Sequence, residues 1–365
     1  MAADPTIECV GRRLLAACVA RPAMTTLRDV ARVTGYSMTT VSRALRGFED
    51  VAAGTRQRIE TVARALDYRP HQIARKLVTG RSGMVGLILD APPKPFEAGH
   101  FLEFVTGLSM AFSARDLDFV LHVGDESNAL ATHERLINRG ALDGFVVTLP
   151  VIGDPRVDLL LKRNAAFVMH GHEFGDDRYA YFDTDNHAVS GKAVEVLAGA
   201  GHRRIALIAG PPEWPSVGDR VRGFRQAMEA RGLPVDTGLI LHGDTSEAHG
   251  AAALSALLAL GTDRPSALVC CNALVAAGVC RAAREAGLSI PKDLSVVAHD
   301  DVLPQVQTDA LDPPLTVTRL ALRDACEPLA NLLLRRIAGE PVADLQVTRE
   351  PELILRASVT RPSNP

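Results

Sequence analysis

Seven short apolar runs recur between residues 85 and 300, and stretches with helical periodicity separate them. Short apolar runs bounded by polar residues or glycine are typical of buried strands. Strands that are buried on both faces indicate a parallel sheet covered by helices and joined by right-handed crossovers. The pattern occurs twice, which predicts two doubly wound α/β lobes. The runs are VGLIL, FVLHV, GFVVT, AAFVMH, RIALIAG, SALVCCN and LSVVAHD.

The net charge of -3 is divided unevenly along the 365 residues. Residues 24–82 hold 11 Lys or Arg and 5 Asp or Glu, a net charge of +6, whereas residues 83–365 hold 26 and 36, a net charge of -10. A basic head on an acidic body predicts that the head binds a polyanion. No apolar run is long enough to cross a bilayer, so we expect no membrane partner.

The basic head contains a helix-turn-helix pattern over residues 27–46. Thr26 and Asp29 have the spacing of a capping box, and Gly35 stands where the turn between two helices requires a positive φ. Ser37 is expected to cap the second helix. The side chains of that helix that face inward are Val41, Ala44 and Leu45, and those left for the other face are Met38, Thr39, Ser42 and Arg43.

A third amphipathic helix is predicted over residues 55–66, where Ile59, Val62, Ala63 and Leu66 would close a three-helix core. In order, TTLRDVARVTGYSMTTVSRAL, TRQRIETVARALDYRPHQIARKLVTGRS and VGLIL resemble the head, the hinge region and the first core strand of the lactose-repressor (LacI/GalR) family of transcriptional regulators. The resemblance runs from Met24 over nearly the whole chain. It implies an all-α head joined by a hinge helix to an α/β core of two parallel, doubly wound lobes that resembles periplasmic sugar-binding proteins.

The resemblance implies a division into domains. We hypothesise that residues 1–23 are an extension outside the native protein and that Met24 is the native start, because RRLLAACVAR only partly fits an export signal. Residues 24–70 form the head, 71–82 the hinge and 83–365 the core. The chain is expected to cross between lobes near Asp185, Pro314 and Val342. Lobe 1 then holds 83–184 and 316–342, and lobe 2 holds 185–315 and 343–361.

The second helix of the head is expected to lie in a DNA major groove. By resemblance, Met38 and Thr39 match the pair that varies with operator sequence, and Arg43 matches an arginine that reads a base, most simply guanine. Leu77 in the hinge matches a leucine that wedges between central base pairs and kinks the duplex. It could instead be an ordinary linker residue. The expected DNA-contacting residues are Ser37, Met38, Thr39, Thr40, Ser42, Arg43, Arg46 and Leu77, and Arg46 departs from the asparagine usual in the family.

Polar residues that follow the core strands are expected to bind a small effector in the cleft between the lobes. By resemblance, Arg220, Asn272 and Asp300 match effector-contacting positions, where guanidinium, amide and carboxylate groups suit vicinal hydroxyls. In the alternatives, Arg220 pairs with Asp219 and Asp300 caps the next loop. The further candidates are Phe101 as an apolar wall or core residue, Trp214 as a stacking or surface residue, and His170.

A homodimer on a near-palindromic double-stranded operator is expected, because one head contacts too few bases and phosphates for specific binding. We predict a cytoplasmic, nucleoid-associated repressor that is released by a small effector, expected to be a carbohydrate, and that needs no cofactor or metal. The cysteines show no metal spacing, and no phosphate loop or G-x-S-x-G elbow indicates an enzyme. The alternative is a periplasmic-type solute-binding protein without DNA binding.

Overall fold

The computed structural model describes residues 25–45, 47–48, 50–68, 81–89, 98–124 and 129–362. The chain separates into two compact units between Ser82 and Gly83. The predicted DNA-contacting residues Arg46 and Leu77 and the extension 1–23 lie outside the described residues. Among the helices that are described, none is both long and apolar enough to cross a membrane.

The first unit contains three helices, α1 (Leu27–Thr34), α2 (Met38–Leu45) and α3 (Ala53–Ala65). The capping box is confirmed, since Thr26 Oγ1 accepts from the Asp29 N–H at 3.3 Å and the Asp29 carboxylate accepts from the Thr26 N–H at 3.0 Å. Gly35 has a φ of 77°, as the turn requires.

The helices of the first unit enclose the predicted core. Val30, Val41 and Ile59 have no exposed surface, and Leu45, Val62 and Leu66 pack against them partly buried. Helix α3 begins two residues earlier than predicted, at Ala53, with no side-chain cap. The periodicity of its apolar residues marks the buried face but does not mark this start.

Lobe 1 is built on a six-stranded sheet in which every neighbouring pair of strands is parallel. Its strands are β1 (Met84–Leu89), β2 (Asp118–Val123), β3 (Gly144–Val147), β4 (Phe167–His170), β5 (Ala180–Thr184) and β11 (Gln346–Arg349), in the spatial order β11-β5-β4-β3-β1-β2. The lobe also contains α4 (Ala98–Ser113), α5 (Ala129–Asn138), α6 (Pro155–Lys162) and α11 (Cys326–Ile337). Separate apolar clusters fill the two faces of the sheet.

Lobe 2 repeats this plan with one antiparallel edge. Its strands are β6 (Ile205–Ala209), β7 (Ile240–His242), β8 (Ala267–Cys270), β9 (Ser295–Asp300), β10 (Thr316–Arg319) and β12 (Glu352–Ile354), in the order β12-β10-β9-β8-β6-β7. Strand β12 runs antiparallel to β10. The helices are α7 (Asn186–Gly199), α8 (Pro215–Ala230), α9 (Glu247–Leu258) and α10 (Ala273–Glu285), and two apolar clusters lie on opposite faces of the sheet.

Two of the predicted crossings between lobes are wrong. The chain does not leave lobe 2 near Pro314, because residues 316–319 form β10, which pairs with β9. It does not leave lobe 1 near Val342, because residues 346–349 form β11, which pairs with β5. The second and third crossings therefore follow Arg319 and Arg349, whereas the first lies at Asp185, between β5 and α7. The two added strands are short and polar at several positions, so no apolar run marks them.

Candidate functional site

Helix α2 presents a groove with a volume of about 370 Å³, lined by Met38, Thr39, Ser42, Arg43 and Phe48. Met38 is 47% exposed although it begins a helix whose Val41 is fully buried. The side of α2 that carries Met38 therefore combines exposed apolar surface with the hydroxyl and guanidinium groups of the groove.

Two predicted DNA-contacting hydroxyls secure the start of α2. Ser37 Oγ accepts from the Thr40 N–H at 3.1 Å, and the hydroxyls of Ser37 and Thr40 lie 2.8 Å apart. Ser37 is therefore the cap that the sequence predicts. Ser37 and Thr39 are exposed, and Thr40 and Ser42 are half-buried. The described members of the predicted set thus lie on one exposed side of α2 or at its start.

Arg43 has two contacts that the sequence reasoning missed. Its guanidinium donates to the carboxylate of Asp50, and its central carbon lies 4.8 Å from the centroid of the Phe48 ring. The sequence signal that could have indicated the ion pair is Asp50, an acidic residue seven positions after Arg43 in a head with a net positive charge.

The second candidate site is a cleft of about 160 Å³ between the two lobes of the core. Lobe 1 supplies the segments that follow β3 and β4 and the end of β5, including His170, His172 and Asp183. Lobe 2 supplies the starts of α7 and α8 and the segments that follow β9 and β10. The cleft thus lies at the carboxyl ends of parallel strands, where doubly wound sheets bind ligands.

Three of the six predicted effector residues line the cleft: His170, Trp214 and Arg220. Arg220 Nε donates to Asn186 Oδ1 at 2.8 Å, and its Nη1 donates to the Cys271 carbonyl at 2.5 Å. The alternative that it pairs with Asp219 is wrong, because Asp219 pairs with Arg222 at 2.8 Å. These two bonds hold the guanidinium plane in place, and Nη2 has no hydrogen-bond partner among the described residues.

The other three predicted residues do not line the cleft. Asn272 caps α10, because its Oδ1 accepts from the Val275 N–H at 2.8 Å. Asp300 is buried, accepts from Arg319 and Thr308, and caps the next loop through the Val302 N–H. Phe101 packs against the apolar cluster of lobe 1. Asp300 is therefore the loop cap, and Phe101 the core residue, that the sequence analysis gave as alternatives.

Asp301, which the sequence reasoning missed, lines the cleft in place of its neighbour Asp300. Its two carboxylate oxygens lie 3.2 Å from His299 Nε2 in lobe 2 and 3.1 Å from His100 Nε2 in lobe 1. Burial opposes ionisation of this carboxyl, but the two histidines outweigh burial and hold the pKa of Asp301 well below its ordinary value. The carboxylate therefore carries its charge and bridges the lobes.

His172 and Asp183 form a second pair in the cleft, with 2.7 Å between His172 Nδ1 and Asp183 Oδ2. The His172 ring stacks on Tyr181 with centroids 4.3 Å apart. Burial lowers the pKa of His172, but the hydrogen bond and charge of Asp183 outweigh it, and the pKa is raised. For His170, burial outweighs the charges of Asp183 and Asp301, so its pKa is lowered, and its ring stacks on Phe104 with centroids 4.8 Å apart.

Comparison with known proteins identifies the family of both parts of the chain. Residues 26–71 match the family described as bacterial regulatory proteins, lacI family, and residues 194–359 match the periplasmic binding protein-like domain. The HTH-type transcriptional regulator AglR of Rhizobium meliloti (strain 1021) is 36% identical over 338 residues, 91% of this chain and 93% of that protein. The chain belongs to the lacI family of bacterial regulatory proteins. The regulator is also 33% identical to the HTH-type transcriptional regulator RafR of Escherichia coli, over 92% of this chain and 99% of that protein.

Solved structures of the family have the same fold. The structure described as a transcriptional regulator CelR-cellobiose complex has 29% identity and a TM-score of 0.67, and the match covers 92% of this chain and 99% of that chain. The lac repressor dimer bound to operator has a TM-score of 0.75 at 22% identity, over 92% and 99% of the two chains. The predicted fold class is confirmed. The regulator is a DNA-binding transcriptional regulator, so the alternative of a solute-binding protein without DNA binding is wrong.

Proposed function

We propose that the regulator represses transcription as a homodimer on a near-palindromic operator and that a small carbohydrate bound in the cleft releases it. The observation that carries this proposal is the lining of the cleft, where the two lobes present charged side chains to one space at the carboxyl ends of their sheets. A ligand that contacts both lobes has different contacts at different lobe angles, which is the requirement for control by a ligand.

The chemistry of the cleft favours a ligand rich in hydroxyl groups. Asp183 and Asp301 offer acceptors, the Nη2 of Arg220 offers a donor, and Trp214 offers an aromatic face. Carboxylate and guanidinium groups bind vicinal hydroxyls with paired hydrogen bonds, and aromatic rings stack on the apolar faces of sugars. We therefore assign effector binding to His170, Trp214, Arg220 and Asp301. The relative described as a CelR-cellobiose complex binds a sugar, which supports the same class here.

DNA recognition is assigned to the exposed side of α2. The Met38 side chain has no hydrogen-bond donor and suits contact with a thymine methyl group, whereas the Arg43 guanidinium suits O6 and N7 of guanine. Thr39 is assigned, with Met38, to the pair that varies with operator sequence. Ser37, Thr40 and Ser42 complete the surface, with hydroxyls that suit phosphate oxygens. We assign the same function to Arg46 and Leu77 within a head of residues 24–70 and a hinge of residues 71–82. This activity places the regulator in the cytoplasm, at the nucleoid.

The homodimer is supported by an apolar surface on lobe 1. Leu102 and Met110 are 61% and 65% exposed on one side of α4, and Leu121 and Val123 are exposed on β2, the edge strand of the sheet. Exposed apolar side chains that cluster on one side of a lobe mark an interface. A second copy that covers this surface would pair two heads and provide the contacts that one head lacks.

Fluorescence anisotropy on fragments of the regulator's own upstream DNA tests this proposal. The purified protein would be titrated over a salt series, with a panel of mono- and disaccharides and with nucleosides as controls. We expect one fragment to bind tightly, with an affinity that falls as salt rises, and one sugar to weaken the binding about 5- to 150-fold. If no fragment binds more tightly than random DNA, or if only nucleosides weaken the binding, the result would contradict the proposal.

A further inference from the structure

Asp50 and Phe48, which lie after α2 in the chain, hold the Arg43 guanidinium on the exposed side of the head. Arg43 Nη2 donates to the Asp50 carboxylate, and the guanidinium lies over the Phe48 ring at 4.8 Å from its centroid. Asp50 thus engages one edge of the guanidinium, and Phe48 covers one face. The five N–H donors of an arginine leave the remaining edges available to a base.

The segment that carries these two residues is anchored to the helices on both sides. The Phe48 N–H donates to the Arg43 carbonyl at 3.2 Å, and the Phe48 carbonyl accepts from Arg56 Nη2 of α3 at 2.6 Å. The next residue after Asp50, Val51, is buried in the core of the head. Phe48 and Val51, on either side of Asp50 in the chain, are therefore both attached to the helices of the head.

The ion pair does little for the stability of the head. The Arg43 and Asp50 side chains are 44% and 54% exposed, and ion pairs this exposed contribute little to folding. The expected effect of the pair is on DNA binding. An acidic group beside a base-reading arginine restricts the directions in which that arginine donates, and its charge opposes attraction to phosphates, which dominates non-specific binding.

We infer that Asp50, with Phe48, positions Arg43 for bidentate hydrogen bonding to a guanine and raises the preference of the regulator for its operator over other DNA. The inference rests on the role proposed for Arg43 and adds a residue that does not itself read a base. An arginine whose charge is shared with Asp50 binds a phosphate less strongly, whereas guanine offers two acceptors, O6 and N7, to the N–H donors of Arg43 that remain.

The test is selection of bound sequences from a random duplex library by the full-length protein. The variants are Arg43→Ala, Asp50→Asn, Asp50→Glu and Glu60→Gln, the last of which removes one negative charge from α3 as a matched control. Arg43→Ala identifies the base pair whose preference depends on this arginine. We expect Asp50→Asn to lower the preference at that base pair about 3- to 10-fold and to raise affinity for a scrambled duplex about 2- to 5-fold.

The controls separate this inference from the proposed function. Glu60→Gln should leave the preference at the Arg43-dependent base pair unchanged, and Asp50→Glu should restore part of it. If Arg43→Ala removes the preference while Asp50→Asn retains it, the positioning role is wrong and the role of Arg43 stands. If Arg43→Ala changes no base preference, the proposed role of Arg43 fails and this inference fails with it.

Discussion

Asp301 bridges the lobes of the core through its two carboxylate oxygens, one toward His299 and one toward His100. The neighbouring Asp300 also has a carboxylate side chain, but it is enclosed by Arg319, Thr308 and a loop N–H. Successive residues of a strand point to opposite sides, so only one of two adjacent carboxylates at a strand end reaches a given space. The sequence predicts an acidic residue at the end of β9 in the cleft, but it does not determine which of Asp300 and Asp301 faces the cleft.

Arg220 is predicted to provide most of the charge-assisted affinity for the effector. Arg220→Ala should weaken sugar binding by a factor of about 10 to 150, the usual range for a hydrogen bond to a charged group. Trp214 is the only tryptophan and lines the cleft, so its fluorescence reports binding directly. Arg225→Ala in the same helix is the matched control, because Arg225 does not line the cleft. Equal sugar affinity in the Arg220 and Arg225 variants would contradict the assignment.

His172 is predicted to make stability depend on pH in a defined direction. Its pKa is raised in the folded protein, so its pairing with Asp183 stabilises the fold fully below the unfolded pKa of about 6.5, and the effect is lost as pH rises through the folded pKa. His172→Gln should therefore destabilise the core more at pH 6 than at pH 9. Thermal melting of both proteins at the two pH values tests this. If the substitution lowers Tm by the same amount at both pH values, the pair does not titrate as described.

At the scale of elements, the sequence identifies strands that have continuous apolar runs and misses short strands that contain polar residues, among them the interior strands β5 and β10. The apolar runs mark strands such as β3, β8 and β9, which are buried on both faces. Strand β11, with the sequence QVTR, lies at an edge and is mostly exposed, so it has no apolar signal. The misplaced lobe crossings follow from this, because the edge and near-edge strands decide where the chain passes between lobes.

Helices α9 and α10 pack closely enough that they require glycine at their contact. A Cβ on Gly250 would lie 2.1 Å from the Val275 carbonyl oxygen, and a Cβ on Gly278 would lie 2.0 Å from that of Glu247. Gly278→Ala should destabilise lobe 2 by about 1 to 3 kcal/mol, the usual range for overpacking. Gly191→Ala in α7 is the control, because its Cβ meets nothing within 4 Å and alanine favours the helix. Chemical denaturation of both variants tests this, and equal stability would contradict the close packing.

At the scale of the whole molecule, the apolar side of lobe 1 is predicted to hold the dimer together. Strand β2 is an edge strand that the sequence nevertheless identifies, because its residues Leu121 and Val123 are apolar although exposed. Met110→Glu should produce monomers and weaken operator binding at least about tenfold, since a charge in an apolar interface is costly. Leu355→Glu, at a residue of lobe 2 that is 67% exposed, is the matched control. Analytical ultracentrifugation measures both, and a dimeric Met110→Glu protein would place the interface elsewhere.

Release by the effector requires that the cleft and the head affect each other reciprocally. If a sugar weakens operator binding by a given factor, the operator must weaken sugar binding by the same factor. The decisive measurement is a titration of the sugar, followed by Trp214 fluorescence, with the regulator free and with it saturated by operator DNA. We predict that the dissociation constant for the sugar is about 5- to 150-fold higher when the regulator is bound to operator DNA. This factor should equal the factor by which the sugar weakens DNA binding. The same dissociation constant with and without operator would contradict the account, because the cleft would then have no influence on DNA binding.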